Sequence, residues 1–202
     1  DVQIGPSSVD LRLGNEFKWY DRPQQGSMVF IRPKDETTYP PLRERLVGDD
    51  EEYVLWPEMF VLAVTKERIA LPKHVGALVH GRSSLGRLGL FVHNAGYCDP
   101  GWRGYLVLEL FNASPSALRL KPGMRICQIE FNYLTTPADS PYGTGAHVKY
   151  QDQRGAQESL LHQDRQADQV FEVTAPEPAY LTLLRERVYA GLGVTTEDLE
   201  GP

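Results

Sequence analysis

The sequence is poor in cysteine and in long apolar runs. Two cysteines in 202 residues are too few for a disulfide framework, and both stand among apolar neighbours, where buried free thiols are common. No apolar run reaches the ~20 residues that a bilayer-spanning helix needs. No signal-peptide pattern stands at the start of the chain. The chain begins at Asp1 without a methionine, so the sequence leaves open whether a further segment precedes it. We therefore expect a soluble cytoplasmic protein that works in a reducing environment and has no membrane as a partner.

Positive charge is also scarce. Lys and Arg number 21 against 27 Asp and Glu, which gives a net charge of −6. A polynucleotide-binding surface needs clustered basic residues, so the composition argues against nucleic acid as a partner. A small anionic ligand is still compatible with this charge, because a pocket needs only a few local cations.

The zinc-binding pattern of nucleobase deaminases is missing as well. That pattern needs a His or Cys two residues before a Glu, and a Pro-Cys-x-x-Cys elsewhere. None of the five histidines and neither cysteine stands in such a position. If the chain deaminates a base, it does so without zinc.

What the sequence does contain is a series of short strands. Ser8–Leu13 alternates polar and apolar residues with period two, as a half-buried strand does. Little helix is predicted before residue 175, and a β-sandwich or closed barrel-like fold is the expected architecture. The other predicted strands are 28–32, 53–55, 60–65, 76–80, 105–112 and 124–131.

The C-terminal part differs from the rest. A proline-bearing linker at 175–178 precedes residues 180–192, where apolar side chains recur at helical spacing. We expect a main domain at 1–165 and a partly helical extension at 166–202.

The segment Gly81–Gly89 contains two serines between two arginines and predicts the start of a short helix. Helix starts expose backbone N–H groups, and arginine forks suit phosphate oxygens. Ser83 and Arg87 are four apart and share a face of a regular helix. The alternative is a serine N-cap beside two surface arginines.

Glu109 is the candidate catalytic carboxylate. Strict alternation from Tyr105 to Phe111 places it on the same strand face as Val107. A carboxylate on an apolar face is partly desolvated and suits general acid-base chemistry. The alternative is a cross-strand ion pair at the rim of a sheet.

Two further segments carry polar groups amid glycines. Asp99–Trp102 is typical of a turn. Residues 141–155 combine basic and amide side chains with glycines, so they predict either a mobile flap over an anion or a plain solvated loop.

Together these residues resemble the dCTP deaminase family of the dUTPase-like superfamily. The resemblance runs from Ser7 to about Gly155 and is most specific in Gly81–Gly89, Asp99–Trp102 and Leu108–Glu109. It implies a mainly-β, dUTPase-like distorted barrel or jelly roll with few short helices. It also implies a homotrimer with active sites at subunit interfaces, and a hydrolase that converts dCTP and water to dUTP and ammonia in pyrimidine deoxynucleotide metabolism.

The resemblance further implies the roles of individual residues. Glu109 would shuttle the proton, Ser83 would position the water and Arg87 would stabilise developing charge. Asp99 would hold the 3′-hydroxyl of the deoxyribose, and Mg²⁺ would be bound through the triphosphate rather than by side chains. The remaining substrate-binding residues would be Arg82, Ser84, Leu85, Gly86, Trp102, Val107, Leu108, Tyr142, Lys149 and Gln153.

One departure from the family pattern concerns the loop between His93 and Asp99, which is one residue shorter than usual. This loop contributes backbone to the base and water site. Two alternatives to a plain deaminase stay open: a bifunctional enzyme that takes dCTP to dUMP and pyrophosphate, and a non-catalytic regulator that binds deoxynucleotides. The resemblance also leaves open dTTP as an inhibitor.

Overall fold

The computed structural model describes residues 3–21, 35, 39–93, 96–144 and 148–163. All of them belong to one compact unit, Asp1–Arg165. The ten strands are β1 Ser8–Tyr20, β2 Leu42–Leu46, β3 Tyr53–Leu55, β4 Phe60–Ala70, β5 Val75–Gly81, β6 Leu90–His93, β7 Tyr97–Cys98, β8 Arg103–Asn112, β9 Leu118–Leu120 and β10 Arg125–Tyr133. The helices are α1 Ser83–Gly86 and a 3₁₀ turn at Leu161–Gln163.

Eight strands form one curled sheet. Its path runs β6-β8-β4-β1-β10-β5-β7, with β2 paired to β1, while β3 and β9 form a separate pair. The curl brings β5 close to β6, the strand at the far end of the path: a β-carbon on Gly81 in β5 would lie 3.5 Å from the backbone oxygen of Val92 in β6. Four strands separate these two in the path, so the mainly-β, barrel-like prediction is confirmed.

The long first strand joins the two halves of the sheet. Residues Ser8–Arg12 pair with β10, and the later part of β1 pairs with β2 and β4. A register shift between Leu11 and Arg12 marks the point of change. Bulges of this kind bend a strand and increase its twist.

The core lies on the inner face of the sheet. In β8 the inner side chains Leu106, Leu108 and Leu110 are buried, whereas Glu109 on the outer face is half-buried. A smaller apolar cluster covers part of the outer face, where Ala156 from the C-terminal side packs beside Val107. The alternation predicted for β8 is therefore confirmed.

Four of the described strands were not predicted from the sequence. The edge strand β2 is the clearest case, because it is mostly charged and exposed and reads as a surface loop. Backbone pairing with β1 makes it a strand. The others are β6, β7 and β9, of which β7 and β9 are only two and three residues long. The predicted strand at 28–32 lies outside the described residues.

The predicted helix at Gly81–Gly89 is a single turn. Arg82 occupies the N-cap position, and no side chain caps α1, so the serine N-cap expected as an alternative is wrong. The amide of Arg87 donates to the backbone oxygen of Ser83 at 3.0 Å.

In the described residues no helix has the length and apolar character to cross a membrane. The extension at 166–202, with its predicted helix, lies outside the described residues, and the domain boundary stays a prediction.

Candidate functional site

A cavity of about 450 Å³ lies against the outer face of β8 and the segment 148–163, which we call the strap. This volume is typical of small-molecule sites. The cavity brings together six of the predicted site residues, namely Asp99, Trp102, Val107, Glu109, Tyr142 and Gln153. They come from the turn at 99–102, strand β8, the segment before the strap and the strap itself, so the fold brings separate segments together.

Glu109 lies between two neighbouring strands. It stands opposite Leu62 in β4 and opposite His93 in β6. Its carboxylate is 3.9 Å from Nε2 of His93, and its side chain is 37% exposed. Glu109 thus shares its strand face with apolar side chains, as expected from the sequence, and it also has a histidine as its cross-strand neighbour.

An aromatic row beside Glu109 was missed by the sequence reasoning. The register places Phe60, Phe111 and Phe91 side by side across β4, β8 and β6. On β1, the ring of Tyr20 stacks against Phe60 with centroids 6.5 Å apart. Tyr20 and Phe60 both line the cavity. Aromatic residues at three strand ends were the available signal, but only pairing shows that they are adjacent.

The acidic groups of the cavity also affect the pKa of Tyr20. Its pKa is raised, first by burial and then by the negative charges of Glu158 and Glu109 and by Tyr150. The phenol is therefore protonated at neutral pH and can donate a hydrogen bond into the cavity.

The turn Asp99–Trp102 anchors the strap. The amide of Trp102 donates to the backbone oxygen of Asp99 at 3.0 Å, which closes the turn. The buried indole of Trp102 then donates from Nε1 to the backbone oxygen of Tyr150 at 3.1 Å. The turn interpretation is confirmed, and the turn also contributes to the cavity wall.

Further hydrogen bonds of Gln153 and of Tyr142, in the segment before the strap, hold the strap in place. Gln153, which is 9% exposed, donates from Nε2 to the backbone oxygen of Tyr105 at 2.6 Å. The hydroxyl of Tyr142 accepts from the amide of Tyr150 at 3.0 Å. Two of the predicted substrate-binding residues, Tyr142 and Gln153, are thus bonded to backbone groups of this chain while they line the cavity.

Ion pairs fix both ends of the strap. Asp152 binds Arg103 at 2.7 Å and Arg68 at 3.0 Å, and the hydrogen bond from Arg103 lowers the pKa of this carboxyl. Further along, Glu158 lies 3.5 Å from Nζ of Lys18 in β1. The strap is therefore held on the sheet by ion pairs within the chain itself.

The cavity is acidic. Asp99, Glu109 and Glu158 line it, and no Lys, Arg or His stands among the described residues of its wall. A phosphate-bearing ligand therefore needs cations from outside this wall.

Cys98 also lines the cavity as a buried free thiol. Burial, with a smaller effect of Asp99, raises its pKa to about 11. Burial likewise raises the pKa of Cys127 to about 12. The prediction of buried free thiols is confirmed, and neither group is a thiolate at neutral pH.

The other predicted site residues lie elsewhere in the described chain. Leu108 faces the core and is fully buried, and the ammonium of Lys149 lies 5.6 Å from the ring centroid of Tyr150. The residues of Gly81–Gly89 do not line the cavity. The predicted site residues of this segment are Arg82, Ser83, Ser84, Leu85, Gly86 and Arg87. Four of them are exposed to solvent, namely the two serines, Gly86 and Arg87. Their roles stay predictions.

Within the described residues, no group of three His, Cys, Asp or Glu side chains is placed to hold a metal ion.

Comparison with known proteins gives consistent matches. The sequence model of the dCTP deaminase-like family matches residues 1–134. The chain is 46% identical over 164 residues to the "dCTP deaminase, dUMP-forming" of Persephonella marina, covering 81% of this chain and 86% of that protein. It is also 46% identical over 168 residues to the dCTP deaminase of Haloarcula marismortui, covering 82% and 85%.

A solved structure has the same fold. The crystal structure of 2′-deoxycytidine 5′-triphosphate deaminase from Agrobacterium tumefaciens superposes with a TM-score of 0.51 at 27% identity. The superposition covers 66% of this chain and 42% of that one.

Proposed function

Because the chain belongs to the dCTP deaminase-like family, we propose that it hydrolyses the 4-amino group of dCTP. The reaction would be dCTP plus water to dUTP plus ammonia. One observation carries the proposal: the half-buried carboxylate of Glu109 faces a nucleotide-sized cavity on a strand whose other face is the core. Deamination needs a fixed proton carrier beside the base, and this strand supplies one.

Glu109 is proposed to move the protons of the reaction. It would take a proton from the water that adds to C4 of cytosine and deliver it to N3. It would then move the proton of the new C4 hydroxyl to the amino group, so that the C4–N bond breaks, ammonia leaves and the C4 carbonyl of uracil forms. Its neighbours favour this role, because Leu62 and Val107 exclude bulk water on one side. Ser83 and Arg87 are proposed to position the water and stabilise developing charge.

The sugar and the phosphates are assigned to the turn and the strap. We propose that Asp99 accepts a hydrogen bond from the 3′-hydroxyl and that Trp102 and Val107 pack around the deoxyribose. Tyr142, Lys149 and Gln153 would address the triphosphate, which requires Gln153 to exchange its bond to Tyr105 for one to phosphate. The strap is suited to such a change, because it is joined to the sheet mainly by polar contacts.

The acidic wall of the cavity favours a site shared between copies of the chain. The cationic segment, with Arg82 and Arg87, is absent from the wall that contains Glu109. We propose a homotrimer in which one copy supplies the cavity and a neighbour supplies Gly81–Gly89. This arrangement gives the triphosphate its missing positive charge.

Magnesium is proposed to arrive with the nucleotide. The wall offers carboxylates but no three-ligand cluster among the described residues, so the triphosphate would provide most of its oxygens. Bound there, the ion would neutralise phosphate charge next to Asp99 and Glu158.

A second candidate function is the bifunctional reaction that ends in dUMP and pyrophosphate. The relatives from Persephonella marina and Halobacterium salinarum, 46% and 45% identical, are both named "dCTP deaminase, dUMP-forming". The second step would need a water at phosphorus, and Asp99 is the carboxylate proposed to activate it.

One incubation separates these functions. The protein is mixed with dCTP and Mg²⁺, and the products are resolved by anion-exchange chromatography. Accumulating dUTP supports the deaminase, and dUMP with stoichiometric pyrophosphate supports the bifunctional enzyme. Unchanged dCTP, from folded protein that binds it, would contradict both and favour the regulator.

A further inference from the structure

Asp10 is a buried carboxylate to which the proposed reaction assigns nothing. It is the only charged residue among the buried polar residues of the described chain, and its side chain is 9% exposed. Burying a carboxylate is costly unless cations and hydrogen-bond donors compensate it. Its partners therefore indicate what it is for.

Those partners come from two other segments. Oδ2 of Asp10 accepts from Nη1 of Arg125 at 2.9 Å, and Oδ1 accepts from Nε2 of Gln128 at 3.1 Å. Oδ1 also lies 3.4 Å from Nε of Arg82. Arg82 directly follows β5, and β10 separates β5 from β1 in the sheet. The carboxylate thus reaches across one strand to an arginine of the next.

These contacts hold the guanidinium of Arg82 on two sides. Besides Asp10, it has Arg125 as a partner, to whose backbone oxygen Nη1 donates at 3.4 Å. The Arg82 side chain is only 22% exposed, and its Nη2 makes no hydrogen bond within the described part of the chain. Arg87 contrasts with it, since this exposed guanidinium has no ion pair with any described residue.

We propose that Asp10 is a positioning residue that fixes Arg82 so that the free edge of its guanidinium binds an anionic group of the nucleotide. This inference rests on the proposed function and deepens it. Because a carboxylate already holds the guanidinium of Arg82 in place, this group loses little conformational freedom when it binds phosphate oxygens. Phosphates away from the base contact Arg82 equally in the ground and transition states, so the effect falls on KM rather than kcat.

The test compares Asp10→Asn, Arg82→Gln and their double variant by steady-state deamination of dCTP. Asp10→Asn is expected to raise KM about tenfold, the loss of one charge-assisted contact, with kcat within about threefold. Arg82→Gln is expected to raise KM at least as much, and the double variant no further than Arg82→Gln alone. This non-additivity is the signature of one residue acting through another.

Glu67→Gln is the matched control. Glu67 is a partly buried carboxylate bonded to an arginine and a glutamine, Arg12 and Gln3, but not to Arg82. Glu67→Gln is expected to leave KM unchanged. Both Glu67→Gln and Asp10→Asn are expected to lower the melting temperature. If Asp10→Asn does not fold, Arg82→Lys replaces it, because lysine keeps the charge but lacks the fork. Its KM is expected to rise about tenfold too.

The positioning role would be overturned by a folded Asp10→Asn variant with the wild-type KM. It would also be overturned if the effects of Asp10→Asn and Arg82→Gln on KM were additive, or if Arg82→Lys kept the wild-type KM. Wild-type protein that binds dCTP without converting it would contradict the proposed function instead. The same coupling is then measured in the Kd of dCTP by calorimetry, where additivity again overturns the inference.

Discussion

Gly101 and Tyr142 are in such close contact that a β-carbon on the glycine would lie 2.8 Å from the backbone oxygen of Tyr142. Gly101 also has a φ of +89°, which side chains rarely adopt. The turn and the segment leading to the strap can approach each other only because this residue has no side chain. The cavity wall depends on that approach, since Trp102 and Tyr142 both line it.

Gly101→Ala is therefore expected to weaken both the fold and the site. The positive φ and the contact with Tyr142 together should cost about 2–3 kcal/mol of unfolding free energy. We expect KM for dCTP to rise as well, because the cavity wall shifts. Urea denaturation and steady-state kinetics measure the two effects.

Gly123→Ala is the control for Gly101→Ala. Gly123 has a similar φ of +85°, but a β-carbon there would meet nothing within 4 Å. It should lose only about 1 kcal/mol and keep its KM. Equal losses in the two variants would show that the contact with Tyr142 is unimportant.

Glu109→Gln is expected to lower kcat at least about a hundredfold while nucleotide binding stays within a few-fold, because the amide cannot carry the proton. Product formation and the Kd of dCTP give the two quantities. Near-normal turnover would remove Glu109 from its proposed role.

Glu130→Gln provides the matched comparison. Glu130 lies 3.7 Å from a histidine, His80, and is 42% exposed, so it resembles Glu109 beside His93 without lining the cavity. If Glu109 served only as a cross-strand neighbour of His93, the two variants would behave alike. We expect full activity from Glu130→Gln.

The shared site predicts that two inactive variants complement each other. Arg87→Gln and Glu109→Gln damage opposite halves of the proposed interface. In randomly mixed oligomers about one quarter of the sites would combine an intact cavity with an intact neighbouring segment. Co-expression, purification of mixed assemblies and activity measurement test this. Activity no higher than the sum of the separate variants would place both residues in one copy.

Asp152 gives a prediction about acid stability. Its pKa in the folded chain is below the ordinary 3.8, first because of the hydrogen bond from Arg103. The ionised form is therefore favoured by folding, and this contribution is present above pH ~4 and is lost as the pH falls through the folded-state pKa. Asp152→Asn should flatten the decline of the unfolding free energy between pH 5 and pH 3, roughly the range where such carboxylates titrate.

Urea unfolding at both pH values measures this change. Asp139→Asn serves as the control, since no ion pair of this carboxylate is found in the described chain. A pH dependence in Asp152→Asn equal to that of the wild type would show that the pair with Arg103 contributes nothing to folding.

Local pattern alone was enough for part of this protein. The alternation around Glu109 predicted its strand and the face that it shares with Val107, because side-chain direction in a strand follows from backbone geometry. Asp99–Trp102 predicted a turn, because proline fixes φ and glycine permits the positive φ that tight turns need. The absence of a cysteine framework predicted free thiols. Each of these depends on residues close together in the chain.

Other features depended on tertiary structure. The charged segment Leu42–Leu46 is a strand only because β1 supplies its hydrogen bonds. Tyr20 reaches the cavity through its stacking on Phe60, 40 residues away in sequence. The sequence left Arg82 as either a phosphate-binding residue or a surface arginine, and only the fold shows that Asp10 lies beside it. Periodicity describes neighbours along the chain, whereas a buried ion pair and a cavity wall are set by strand order and register, which only the folded chain determines.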